Sequence, residues 1–197
     1  MPRVTEEYRA AKRREIADAA LRAFRRKGFH ATSMAEIIAE SGLSAGAIYG
    51  YFPGKSDIIV DVATNVVGSR IVDVERLTAT DPMPTPAQIV RVLVAGMLKD
   101  LGSPGILVQL WGEAITDPTV REIATGVGGH LRAVYAGYIS LWHQREHGRK
   151  PAEADSIAEE QVLLFVAATQ GFILQASLLA DFDTDAYLAA IEKYLPR

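Results

Sequence analysis

The 197-residue chain contains no cysteine, which excludes a disulfide framework and a metal site built from thiolates. The first residues lack the apolar stretch of a secretory signal peptide, so we expect a cytoplasmic protein. No segment alternates convincingly between apolar and polar residues, and no Asn-Gly or Asp-Gly turn joins two candidate strands. The sequence therefore predicts an all-α fold.

The net charge of −3 conceals an uneven distribution of charge along the chain. Residues 1–55 carry ten Lys or Arg and six Asp or Glu, a net charge of +4, whereas residues 56–197 carry eleven and eighteen, a net charge of −7. A basic module on an acidic body is the electrostatic footprint of a DNA-binding domain. Because charge varies along any chain, this asymmetry supports DNA binding only together with a binding motif.

Such a motif follows the first predicted helix. Ser33 opens a capping box with the glutamate three residues later, and Gly42 is placed to end the helix that begins there. Ser44 can cap a second short helix, expected over Ala45 to Phe52 and stopped by the Pro-Gly that follows. Two short helices joined by a glycine-containing turn are the DNA-binding helix-turn-helix pattern, in which the second helix enters the major groove.

The motif belongs to a longer set of matching positions. The set comprises Ile16-x-x-Ala19-Ala20-x-x-x-Phe24, Gly28-Phe29-x-x-Thr32, Met34-x-x-Ile37-Ile38, Gly42-Leu43-Ser44 and Ile48-Tyr49-x-Tyr51-Phe52-x-x-Lys55. With these positions, residues 14–59 resemble the DNA-binding domain of TetR-family transcriptional regulators. The resemblance implies a three-helix DNA-binding domain over residues 1–55, a linking helix over 56–78, and a helical-bundle ligand-binding and dimerisation domain over 56–197.

The DNA-binding residues expected from the motif and the resemblance lie at two helix starts and beyond the second helix. They are Thr32, Ser33, Ser44, Ala45, Gly46, Tyr49 and Lys55. A helix N-terminus attracts phosphate, the start of the recognition helix meets base edges, and Tyr49 and Lys55 resemble family positions that contact the DNA backbone. The alternative is that Tyr49 belongs to the core.

The recognition helix departs from the usual family pattern. Ala45 stands where a basic residue is frequent, and Gly50 where histidine is frequent, so few bidentate base contacts are expected. DNA shape and a basic N-terminal arm should therefore contribute more. That arm comprises Arg3, Arg9, Lys12 and Arg13, which could equally be a solvated helix face.

Helical periodicity and turn signals predict the remaining helices, with a proline-rich break at residues 81–86 before the body. The expected helices cover residues 5–27, 56–78 (capped by Ser56-Asp57), 87–101, 106–115, 119–147, 151–180 and 183–195. By the resemblance, the segment Ala154 to Leu195 forms a homodimer. Residues 162–180 carry no charge and could span a bilayer by length, but a core helix of a soluble protein has the same character, and we expect no membrane contact.

The body contains large apolar side chains with a few polar tips, as a small-molecule cavity requires. The candidate ligand-binding residues are Gln109, Trp111, Tyr135, Tyr138, Trp142, Phe165 and Thr169. Each of them could instead be an ordinary core residue.

One motif indicates a different function. His143, Glu146 and His147 match the H-x-x-E-H signature of a zinc hydrolase, although a helix end would have the same composition. A helical protein that uses its helix-turn-helix only for protein contacts is a third interpretation. The helix-turn-helix together with the resemblance favours a homodimeric regulator, most simply a repressor that a small-molecule effector releases from a near-palindromic DNA operator. We expect neither enzymatic activity nor a cofactor or metal.

Overall fold

The computed structural model describes residues 5–196, and within that range it contains nine α-helices and no strand, which confirms the all-α prediction. The helices are α1 (Glu6–Lys27), α2 (Met34–Ser41), α3 (Ala45–Tyr49), α4 (Lys55–Thr78), α5 (Pro86–Leu101), α6 (Gly105–Thr116), α7 (Pro118–His147), α8 (Pro151–Leu178) and α9 (Thr184–Tyr194).

Local signals in the sequence account for most of the helix starts. The Thr85 hydroxyl accepts the N–H of Gln88 at 3.3 Å, and the Gln88 side chain accepts the N–H of Thr85 at 2.9 Å, so α5 begins with a capping box. The Asp117 carboxylate accepts the N–H groups of Thr119 and Val120, which opens α7. The observed starts of α5 and α7 therefore lie within one residue of the predicted starts.

Two boundaries differ from the prediction. Helix α3 ends at Tyr49 and not at Phe52, because the chain tightens after Gly50 and the N–H groups of both Tyr51 and Phe52 bond to the carbonyl of Ile48. Helix α4 begins at Lys55, with Gly54 as its N-cap and no side-chain cap. The prediction that Ser56 caps α4 is therefore wrong, since Ser56 already lies inside the first turn.

Helices α1 to α3 form a head around fully buried Phe24, Ile37, Ile48 and Phe52. Helix α4 packs against α1 on the head side and against α5 and α7 on the body side. One continuous buried cluster runs from the head through α4 into the body. A movement of α4 therefore changes the packing of the head and of the body together.

Long helices α7 and α8 pack against each other and form the centre of the body. Helix α6 covers both of them, and α9 lies against α5 and α8. Arg91 of α5 fastens α9 by ion pairs to Asp185 at 3.0 Å and to Glu192 at 2.8 Å. The body is thus a helical bundle, and the boundary between head and body at residue 55 stays a prediction.

Candidate nucleic-acid interface and ligand cavity

Helices α2 and α3 form the predicted helix-turn-helix. The Ser33 hydroxyl accepts the Glu36 N–H at 3.3 Å, and the Glu36 carboxylate accepts the Ser33 N–H at 2.8 Å, so the predicted capping box is present. Gly42 has φ 68°, a left-handed conformation that reverses the chain without strain from a Cβ atom. The Ser44 hydroxyl accepts the Ala47 N–H at 3.3 Å and starts α3.

Helix α3 has one buried face and one exposed face. Ile48 is fully buried and anchors the helix in the head, while Tyr49 beside it is 50% exposed. Ser44, Ala45 and Gly46 are all exposed. The residues predicted to meet base edges therefore share an open surface, and their contact with DNA stays a prediction.

Thr32 and Ser33, predicted to contact phosphate, use their hydroxyl groups inside the protein. The buried Thr32 hydroxyl donates to the Gly28 carbonyl at 2.7 Å, and the Ser33 hydroxyl belongs to the capping box. Hydrogen bonds from Lys27 and from Ser33 lower the pKa of Glu36 to about 2, so a carboxylate charge already lies at the start of α2. A phosphate at this position would compete with that carboxylate for the helix N-terminus.

Lys55 also has partners within the protein. Its Nζ donates to the carbonyl of Phe29 at 2.7 Å and to that of His30 at 3.1 Å, and it lies 4.4 Å from the centre of the Phe29 ring. Burial lowers the pKa of Lys55. The side chain fastens the start of α4 to the turn after α1, and a contact between Lys55 and DNA stays a prediction.

Most basic side chains of the head that the structure describes make contacts within the chain. Arg13 donates to Asp61 at 2.6 Å and stacks over the Phe52 ring, whereas Arg9 lies exposed on α1. Further pairs are Lys12 with Glu15, Arg22 and Arg26 with Glu40, and Lys27 with Glu36. Arg3 of the predicted arm lies outside the described residues. Many of the basic side chains of the head therefore help to hold α1, α2 and α4 together.

A cavity of about 140 Å³ lies in the body between α4, α5, α6, α7 and α8. Its wall is almost wholly apolar, and its polar members are Arg70, Tyr135 and Thr169. Trp111, Tyr135 and Thr169 are the candidate ligand-binding residues that line it. Arg70 was not predicted, although its spacing from Val66, Val67 and Val74 on the buried face of α4 was a usable signal.

Four other candidate ligand-binding residues lie outside the cavity wall. Phe165 stacks on Tyr135 with ring centres 6.0 Å apart, behind the cavity, and the Tyr138 hydroxyl donates to the Pro84 carbonyl at 2.7 Å. Trp142 packs edge-on against His147. Gln109 lies on α6 and accepts the N–H of Phe29 at 2.7 Å. The structure places these four around the core and at the head, and ligand binding by any candidate stays a prediction.

Gln109 belongs to a junction between the head and α6. Gly28, with φ 87°, approaches Gln109 so closely that an added Cβ would lie 3.1 Å from the amide oxygen. His30 Nδ1 lies 2.9 Å from a carboxylate oxygen of Glu113, one turn further along α6. Arg25 donates to the Leu101 carbonyl at 2.7 Å. Helix α6 thus contacts the head with one side and lines the cavity with another.

The histidines of the H-x-x-E-H motif lie side by side near the end of α7, with ring centres 5.4 Å apart. His143 is buried, and its Nε2 lies 3.1 Å from the Gln161 side-chain oxygen. Within residues 5–196, no group of three or more His, Cys, Asp or Glu side chains could hold a metal ion. The zinc hydrolase interpretation therefore has no support.

Helix α8 exposes an apolar stripe, formed by Leu163, Ala167, Leu174 and Leu178 at helical spacing and interrupted by Gln170. Leu178 is 68% exposed and Leu163 is 55% exposed, and exposed leucines that share one stripe mark a surface that a partner can cover. By length and composition alone, α8 could cross a membrane, and only 22% of its most apolar window is buried. A partner that covers the stripe accounts for the same observation.

The comparisons with known proteins agree with this architecture. Residues 16–62 match the family model described as bacterial regulatory proteins, tetR family. The uncharacterized HTH-type transcriptional regulator YfiR of Bacillus subtilis is 40% identical over 57 residues, which are 29% of this chain and 28% of that protein. The HTH-type transcriptional repressor Rv1474c of Mycobacterium tuberculosis is 33% identical over 79 residues, 40% of this chain and 38% of that repressor. The chain thus matches well under half the length of these two relatives.

A solved structure resembles nearly the whole chain. The transcriptional regulator FadR from Bacillus subtilis, in complex with stearoyl-CoA, superposes with a TM-score of 0.62 over 92% of this chain and 96% of that protein. The sequence identity is 16%, so the likeness concerns the fold. The proteins that this chain resembles are transcriptional regulators, and none of the three is named as an enzyme.

Proposed function

We propose, from the match of residues 16–62 to the tetR family model, that this chain is a ligand-responsive, DNA-binding transcriptional regulator of the TetR family and of the cytoplasm. The observation that carries the proposal is the exposed face of α3, held on fully buried Ile48 and presenting Ser44, Ala45, Gly46 and Tyr49. A helix fixed in this way can enter a major groove as a rigid unit. Similarity to the repressor Rv1474c favours a repressor over an activator.

The proposed regulator acts as a homodimer. The exposed α8 stripe supplies an apolar surface that a second copy would cover, because the same residues face each other across a two-fold axis. Two heads separated by about one turn of DNA, roughly 34–36 Å, would then read a near-palindromic operator. This pairing also removes the need for a membrane to cover the stripe.

The effector is proposed to bind in the body cavity. Helix α4 supplies six wall residues and packs on α1, while α6 supplies four and contacts the head through Gln109. A ligand that fits the cavity better in one arrangement of α4 and α6 would shift the position of the heads. The binding of stearoyl-CoA by FadR supports a small-molecule effector for this fold.

A gel shift with the DNA upstream of the protein's own gene tests the proposal. The change Tyr49→Ala should weaken binding at least about tenfold, because an exposed aromatic contact on the recognition helix is lost while buried Ile48 still anchors the helix. The control is Ile115→Ala, which removes an exposed apolar side chain from α6, outside the head and outside the segment Ala154 to Leu195. Equal binding by the wild type and Tyr49→Ala would contradict the assignment of α3.

A further inference from the structure

The body cavity contains two buried side chains whose polar atoms lack partners. Tyr135 is 3% exposed, and its hydroxyl has no hydrogen-bond partner among the residues that the structure describes. Arg70 is 7% exposed, and its Nε and Nη1 atoms likewise have no hydrogen-bond partner among the described residues. Buried polar groups are normally paired in folded proteins, so each exception needs a reason. Both side chains line the same cavity.

The third polar residue of the wall, Thr169, lies beside the Tyr135 hydroxyl but forms no hydrogen bond with it among the described residues. The Thr169 hydroxyl donates to the Phe165 carbonyl at 2.9 Å, within its own helix. Burial raises the pKa of Tyr135 far above its ordinary value, an effect that the Thr169 side chain opposes only partly. The Tyr135 hydroxyl therefore keeps its proton at any physiological pH and remains a hydrogen-bond donor.

The positive charge of Arg70 is already compensated by its neighbours. Its Nη2 lies 3.0 Å from a carboxylate oxygen of Asp73 and 3.3 Å from one of Asp100. Neither aspartate lines the cavity, and Arg76 lies 3.9 Å from Asp73 on the exposed side. An anionic ligand would therefore find no uncompensated positive charge, and a cationic ligand would find no carboxylate in the wall.

The position of the Arg70 guanidinium depends on a glycine. A Cβ atom added to Gly96 of α5 would lie 1.8 Å from Nη1 of Arg70, so only glycine leaves this space free. The guanidinium is consequently packed against α5 at Gly96, at the cavity edge. A donor fixed by packing and by two carboxylates is well placed to orient a ligand.

The size of the cavity limits the ligand. A volume of about 140 Å³ is close to that of an engineered apolar cavity, roughly 150 Å³, which accommodates benzene. Building on the proposed ligand-responsive function, we propose that the effector is a small neutral molecule with a single ring and one carbonyl-type oxygen. The oxygen accepts a hydrogen bond from Tyr135, with Arg70 as the second donor, and the ring fills the apolar wall.

Three probes of similar size separate this ligand class from its alternatives. Acetophenone has a ring and a carbonyl oxygen, ethylbenzene has the ring without an acceptor, and benzoate has the ring with a negative charge. Calorimetric titration of the full-length chain should give acetophenone a dissociation constant at least about tenfold lower than that of either other probe. Quenching of Trp111 fluorescence from the cavity wall, measured in a Trp142→Phe variant because the chain contains two tryptophans, reports the same binding event.

Variants of the two donors test their roles. The change Tyr135→Phe should reduce the preference for acetophenone over ethylbenzene to about threefold or less, while ethylbenzene binding stays within about twofold of the wild type. The change Arg70→Lys keeps the charge for Asp73 and Asp100 but removes the Nε and Nη1 donors, and it should weaken acetophenone alone. The matched control is Tyr138→Phe, since the Tyr138 hydroxyl bonds to Pro84 outside the cavity.

The outcomes distinguish this inference from the proposed function. Equal affinities for acetophenone and ethylbenzene, tighter binding of benzoate, no binding of any probe, or an unchanged preference in Tyr135→Phe would each overturn the ligand class. Salt-dependent binding to duplex DNA, measured without a probe, would persist in all four cases if the protein is a regulator. Loss of that DNA binding, with the probe affinities as expected, would overturn the proposed function and leave the cavity chemistry intact.

Discussion

Replacing Gln109 by alanine should weaken the communication between the cavity and the head. The Gln109 amide oxygen accepts the Phe29 N–H at 2.7 Å, and it is packed against Gly28, whose φ of 87° is a conformation that residues with a side chain rarely adopt. On the same helix, Ile106 and Leu110 line the cavity. A ligand that displaces α6 would therefore pull directly on the turn between α1 and α2.

The magnitude follows from the single hydrogen bond that is lost. One such bond contributes about 1 to 1.5 kcal/mol. Since 1.4 kcal/mol corresponds to a factor of ten, Gln109→Ala should reduce the effect of a cavity ligand on DNA affinity by roughly five- to tenfold. It should also lower the free energy of unfolding by about 1 kcal/mol.

Fluorescence anisotropy with a labelled operator duplex measures this coupling. The dissociation constant for DNA is determined without ligand and with saturating acetophenone, for the wild type and for Gln109→Ala. The matched control is Glu113→Gln, because its partner His30 is 89% exposed and such pairs contribute little. An unchanged ratio of the two dissociation constants in Gln109→Ala, together with a large change in Glu113→Gln, would refute the route through Gln109.

Three further changes test other parts of the structure. Gly126→Ala should raise the free energy of unfolding by about 0.5 to 1 kcal/mol in urea titrations, because Gly126 is exposed in α7 with nothing within 4 Å of an added Cβ; a loss of stability would contradict this. In sedimentation measurements, the double change Leu163→Glu with Leu178→Glu should convert the dimer to a 21.4 kDa monomer. The control Ile115→Glu, at an exposed position on α6, should leave the dimer intact. A dimer that persists in the double variant would contradict the assignment of α8 to the interface. Glu36→Gln should lower the free energy of unfolding at pH above about 4.5, where wild-type Glu36 is ionised in both the folded and the unfolded protein. This loss should fade as the pH drops toward about 2, the lowered pKa of Glu36 in the folded protein. A loss that does not depend on pH would contradict the capping role.

The sequence was sufficient for most helix boundaries, because their signals are local. Caps at Ser33 and Thr85 and the proline after Asp117 act within a few residues, so starts and ends could be predicted within one or two positions. Helix α3 was predicted three residues too long, since the turn after Gly50 preserves helix-like hydrogen bonds to Ile48 without continuing the helix.

The roles of individual side chains could not be predicted in the same way. Periodicity indicates that Tyr135 and Tyr138 are buried, but only the packing of five helices decides that the first lines a cavity and the second bonds to Pro84. Lys55 and Gln109 illustrate the same limit. Their partners in the turn after α1 are distant in sequence, so neither contact leaves a local signal.

The salt dependence of DNA binding by the full-length chain tests the central claim most directly. Each phosphate contact contributes about 0.9 to the slope of log affinity against log salt concentration, so a dimer with about three such contacts per head should give a slope near −5. Tyr49→Ala should lower the affinity at every salt concentration. A slope near zero, or no binding to any duplex at low salt, would contradict the assignment of the helix-turn-helix to DNA.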